Sequence, residues 1–206
     1  MLLRVWKHIL SCQGGAEIGD KKAHHPELQL IQGGHQFEMS SGPYAIIAAP
    51  TTKPPFPIDA VVEEEDTFLV LSAEARLRKP EGSFLKIMTK VIETRPEIPG
   101  TVLIRGKTPL RLLAIVHNLN KDPTWREAWI KSVLNRIFQV SERRNLQSIA
   151  LPLLGTHHGT LDKERFVEML RHALEKISPS YLQRIWLIMP SGIEMKTLEM
   201  FRAILR

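Results

Sequence analysis

Between residues 146 and 174 the chain reads LQSIALPLLGTHHGTLDKERFVEMLRHAL, and this stretch constrains the fold more than any other. Ser148, Ile149, Ala150 and Leu151 form a short apolar run of the kind that becomes a buried strand. The run stops at Pro152, passes through Gly155, Thr156, His157, His158, Gly159 and Thr160, and meets a helical pattern near Asp162. Phe166, Val167, Leu170, Ala173, Leu174 and Ile177 fall on one face of that helix. The junction has the makings of an anion site. N–H groups of the turn and of the helix N-terminus point the same way, and glycines let a phosphate approach the backbone. The same architecture also serves as a plain strand-to-helix connection.

The rest of the chain repeats the alternation. YAIIAA, residues 44–49, predicts a strand ending at Pro50, and PTTKPPFP must be an extended loop. Glu63, Glu64, Glu65 and Asp66 are expected in a solvated turn, with residues 67–71 as the buried strand after it. A helix is expected over 83–93, with Phe84, Ile87, Met88, Val91 and Ile92 inward. Strands follow at 101–104 and 112–117. Thr124 looks like an N-cap completed by Glu127, opening a helix that runs to about residue 144. A strand at 185–189 and a helix at 194–205 close the chain. The order from residue 67 on is β-α-β-β-α-β-α-β-α, which predicts a three-layer α/β/α domain with a mixed sheet over residues 44–206. Residues 1–43, with strand candidates at 4–10 and 28–31 among glycine turns, read as a β-rich N-terminal extension packed on that domain.

Composition removes several classes of function. No apolar run approaches the roughly 18 residues that span a bilayer, and MLLRVWKHIL is broken by Arg4, Lys7 and His8. Cys12 is the single cysteine, so neither an internal disulfide nor a cysteine zinc site is available. His24, His25 and His35 have no carboxylate or cysteine at ligand spacing, so no metal site is expected. These features point to the cytoplasm. The net charge of +6 suits a phosphorylated ligand or nucleic acid, but Lys and Arg are scattered with no run longer than two.

SIALPLLGTHHGTLD resembles the S-I-A-F-P-x-L-G-T-G-x-x-G segment of macro domains, which bind ADP-ribose and related nucleotide diphosphates. PGTVLIRGKTPLRLLAIVHNL is similar to the family's G-x-A-x-x-T-x-G-x-x-L-x-x-x-x-V-I-H pair of strands, and IWLIMP to its final strand. The resemblance implies a ligand site made by Asp59, Ser72, Glu74, Gly155, Thr156, His157, His158, Gly159 and Thr160. Asp59 stands at about the distance of the family's adenine-recognising aspartate, and equally suits a turn beside Pro57. Aligning the family's N-A-A-N motif with Leu71-Ser72-Ala73-Glu74 puts Glu74 where hydrolases of the family carry an asparagine that contacts the distal ribose. A second register lays residues 59–66, DAVVEEED, over D-A-I-V-N-A-A-N, but it spaces the following loop and helix badly. The glycines that clasp the diphosphate are replaced by Arg78-Lys79-Pro80-Glu81-Gly82, and His157 replaces a glycine.

Three functions remain in play. The first is a module that binds ADP-ribose or a related nucleotide, free or attached to a protein or nucleic acid. The second is an interaction scaffold that keeps the fold without the pocket. The third is an ADP-ribosyl hydrolase using His157 or Glu74 to activate water. None of them calls for a cofactor. Ligands of open α/β sheets bind beyond the carboxyl ends of the strands, which gathers residues 72–82, 117–124, 153–160 and 190–192 at one rim.

Overall fold

The computed structural model describes residues 30–31, 34–52, 54–71, 95–190 and 192–206. Its strands are β1 (Leu30–Ile31), β2 (Gly34–His35), β3 (Phe37–Ser41), β4 (Tyr44–Pro50), β5 (Ala60–Asp66), β6 (Val102–Arg105), β7 (Leu110–His117), β8 (Ser148–Pro152) and β9 (Arg184–Met189). The described helices are α1 (Glu127–Arg143), α2 (Lys163–Glu175) and α3 (Met195–Leu205). Apart from the β1–β2 ribbon, the strands make one sheet in the order β3-β4-β9-β8-β5-β7-β6. The five inner strands are parallel, and β3 and β6 run antiparallel at the two edges. The fold is α/β with a mixed sheet, as the alternation predicts.

A parallel strand is covered on both faces and tolerates an unbroken apolar run. Accordingly Ser148, Ile149, Ala150 and Leu151 of β8 are all buried. The main core joins the sheet to the helices: Ile130, Val133, Leu134, Ile137 and Phe138 from α1, Phe166, Val167, Leu170 and Leu174 from α2, and Leu198, Phe201 and Leu205 from α3. The other face is met by a different device. The connection from β4 to β5 must pass β9 and β8, and it does so as the proline-rich segment rather than as a helix. Phe56 and Ile58 of this strap pack on a small cluster of Ala49, Ala150 and Trp186. The Trp186 indole N–H donates to the Ala49 carbonyl at 3.0 Å.

Three expectations are corrected. Residues 67–71 are not a strand; they turn out of the sheet, and the central strand is β5 just before them. The acidic run is therefore inside the sheet, and Glu65 and Asp66 are fully buried. Its charges are absorbed by distant partners: Glu63 pairs with Arg111, and Glu64 with His117. Thr124 is not the helix cap. That position belongs to Arg126, and the Thr124 hydroxyl faces His117 instead. β3 is hydrogen-bonded to β4 along its whole length. The expected helix at 83–93 and strand at 4–10 lie outside the described residues.

Candidate functional site

The carboxyl ends of β5, β7 and β8 deliver three segments to one rim, and each is held by a different interaction. After β5, the Asp66 carboxylate accepts the backbone N–H groups of Phe68, Val70 and Leu71 at 2.6, 2.8 and 3.0 Å. This grip keeps Leu69 in the left-handed region at φ 58°, a conformation that costs a residue with a β-carbon about 1–2 kcal/mol. The turn is tied to its neighbour by the Thr67 N–H, which donates to the His117 carbonyl at 3.0 Å.

After β7, residues 118–124 loop out and return. The Asn118 N–H donates to the Thr124 carbonyl at 2.7 Å, and Trp125 bridges back to His117. The His117 side chain is nearly closed off from solvent, with Nε2 against Glu64 Oε1 and Nδ1 3.2 Å from Thr124 Oγ1.

After β8, the loop that opens α2 is shaped by its two glycines. Gly155 sits at φ +78°, and a β-carbon there would lie 2.7 Å from Ile130 Cδ1. At Gly159 a β-carbon would lie 2.4 Å from the Gly155 carbonyl oxygen and 2.7 Å from the Trp125 ring. The loop closes when the Leu161 N–H donates to the Gly155 carbonyl at 3.1 Å. Thr156 turns inward, its hydroxyl donating to the Leu153 carbonyl at 2.8 Å. His157, His158 and Thr160 are exposed. The His157 and His158 rings lie 4.5 Å apart, and His158 meets His117 edge-on at 6.2 Å.

The sequence-expected residues therefore divide. Gly155, Thr156, His157, His158, Gly159 and Thr160 share the rim. Asp59 does not. It precedes the amino end of β5, where its carboxylate accepts the N–H groups of Gln147 and Ser148 at 2.8 and 3.0 Å. Because β5 and β8 are parallel, with Ala60 level with Ile149, that end is the one opposite the glycine loop. Ser72 and Glu74 lie outside the described residues, and the strand that placed Glu74 on the asparagine position is not a strand. β5 spans residues 60–66 of the second register, DAVVEEED, whose last position is Asp66. Trp125, Glu64 and Asp66 are rim residues that the sequence reading passed over. That second register was the signal pointing to Asp66, while nothing local marks Trp125 or Glu64.

No family model matches this chain, and no curated protein does. Solved structures share its shape. A point mutant of the Oceanobacillus iheyensis macrodomain with ADPR superposes at a TM-score of 0.58 with 10% identity, over 82% of this chain and 96% of that one. The same macrodomain with ADP gives 0.56 and 11%, over 82% and 94%. This chain has the macrodomain fold. Thermosipho africanus DarTG in complex with ADP-ribose also aligns, at a TM-score of 0.56 and 15% identity, over 82% of this chain and 47% of that longer one. Within the macro fold, the rim described above lies at the carboxyl ends of the parallel strands, where α/β sheets take their ligands.

Proposed function

We propose that the protein is a binding module for ADP-ribose or a related nucleotide diphosphate, seated on loop 155–160 at the carboxyl-end rim. One observation carries this reading. Gly155, in a left-handed conformation, and the closely packed Gly159 shape a loop that leads straight into the N-terminus of α2, in a fold whose solved relatives hold ADPR and ADP. Converging N–H groups and the helix dipole favour a phosphate there. His157 and His158 are both exposed, and in this reading they would donate to phosphate oxygens. The ligand's carrier would be a modified protein or nucleic acid, consistent with the net charge of +6. The single cysteine suits a cytoplasmic setting. No described helix is long and apolar enough to cross a membrane.

Turnover of ADP-ribosyl groups is expected to be absent or slow. Asp66 stands where the resemblance puts the hydrolases' last asparagine, and both its oxygens hold the following turn. A second reading, a macro-fold scaffold without a working pocket, draws on a specific feature. Glu64, Glu65 and Asp66 place carboxylates beside the rim, and the Trp125 ring rests against Gly159. A thermal-shift series with ADP-ribose, ADP, AMP, NAD and poly(A) separates the two, since a ligand selective for the folded state raises the melting temperature. The binding reading expects ADP-ribose or ADP to raise it in proportion to log concentration. A flat response to every nucleotide favours the scaffold.

A further inference from the structure

Glu64, His117 and Thr124 come from β5, β7 and the loop after β7, and they meet in line beside the rim. The Glu64 and His117 side chains are 7% and 2% exposed, and Thr124 is partly covered. In the tautomer of the neutral imidazole that carries its proton on Nε2 toward Glu64, the Nδ1 lone pair faces Thr124. In that tautomer the Thr124 hydroxyl donates to Nδ1 across 3.2 Å. Acid, imidazole and hydroxyl in this order are the arrangement by which a weak oxygen nucleophile is activated.

A purely structural role for the hydroxyl is poorly motivated. The loop is already closed by main-chain contacts, through the Asn118 N–H on the Thr124 carbonyl and the bridge between Trp125 and His117. The hydroxyl's own contact is with the His117 ring. The exposed His158 ring, edge-on to His117 at 6.2 Å, stands at the mouth of the same line.

We propose that Thr124 is a nucleophile for acyl transfer, with His117 as its base and Glu64 as the positioning residue, acting on an activated acyl ester brought to the rim. As Thr124 Oγ1 bonds to the acyl carbon, its proton passes to His117 Nδ1, and Glu64 stabilises the imidazolium. Collapse of the tetrahedral adduct breaks the ester C–O bond, and the departing alkoxide takes the proton from His117. Water then repeats the sequence on the acyl-threonine, releasing the carboxylic acid and restoring the hydroxyl. This chemistry is independent of whether a nucleotide binds at the glycine loop.

The test treats the full chain with a fluorophosphonate probe and, separately, with p-nitrophenyl acetate, and maps the adduct by peptide mass spectrometry. One adduct on Thr124 is expected, retained in Thr124→Ser and lost in Thr124→Val. Glu64→Gln should slow labelling by roughly a hundredfold, within the usual reach of acid–base assistance. Melting curves are taken on every variant. If Glu64→Gln does not fold, the Ser and Val pair at position 124 decides alone, because neither needs the buried carboxylate changed. A folded parent protein that shows no adduct at Thr124 with either reagent overturns the proposal. So does labelling of a folded Glu64→Gln protein at the parental rate.

Discussion

Strand β5 follows one aspartate and ends in another, and the two do opposite work. Asp59, at the amino end, reaches sideways to the Gln147 and Ser148 amides and pins the start of β8 to the start of β5. Asp66, at the carboxyl end, folds back on its own chain and holds three amides of the next turn. The amino end is thus a seam between strands, closed and ordinary. The carboxyl end is where backbone strain, a buried histidine and a glycine loop accumulate. Strain concentrated at one end of a sheet is the ground on which the proposed site is placed there. An aspartate's place in a motif therefore says less about its role than the strand end it occupies.

The largest effect that separates the two ends is expected from removing their carboxylates. Asp66→Ala leaves three amides of a half-buried turn without their charged acceptor and should cost about 3–5 kcal/mol in urea unfolding. Asp59→Ala opens a half-buried site that water can reach and should cost about 1–2 kcal/mol. Equal losses would mean that the ends are equivalent and that the contrast drawn between them is wrong.

Next come the glycines. Gly155→Ala forces a β-carbon into the left-handed region and against Ile130, and should cost about 1–3 kcal/mol by thermal melt. Gly159→Ala must push the loop off Trp125, and should weaken ADP-ribose by roughly tenfold or more, or about 1.4 kcal/mol. His158→Ala, which removes only an exposed ring, should change affinity by about twofold. Isothermal titration on folded variants checks the order, and an inverted order would move the ligand off the backbone and onto the imidazoles.

The smallest effect lies at neither end. Glu127 joins α1 to α2 through Arg165 and pairs with Lys131 on its own helix, and its hydrogen bonds to Arg165 first and Lys131 second hold its carboxyl down to about 2. A depressed carboxyl pKa contributes stability that is present above the unfolded value of 4.5 and is lost as pH falls from there toward 2. Because the pair is largely exposed, the contribution should be under about 1 kcal/mol. The parent protein should therefore lose slightly more melting temperature between pH 6 and pH 3 than Glu127→Gln. Identical pH curves would show that the tie contributes nothing.

How much of this was legible in the sequence depends on where each residue finds its partner. β8 and α2 announce themselves because a doubly covered strand is apolar throughout and a surface helix is apolar every third or fourth residue. β5 hides. Its EEED run looks solvated because the groups that accept its charge, Arg111 and His117, are about fifty residues away, at separations of 48 and 53. Taking 67–71 as the strand is what sets the asparagine position at Glu74. Thr124 was visible as a helix-cap residue type, and only the approach of His117 gave its hydroxyl another partner. The packing of Gly159 on Trp125 is a tertiary contact with no sequence signature, so the glycine was read for its ligand and not for its neighbour.

Hydrogen exchange with and without ADP-ribose tests the central claim most directly, because it reports both ends of β5 in one experiment. The account predicts added protection at amides 67–71 and 155–161, with none at 59–60 and 147–148. Protection at the amino end, or no change at either end with ADP-ribose at millimolar concentration, would contradict it.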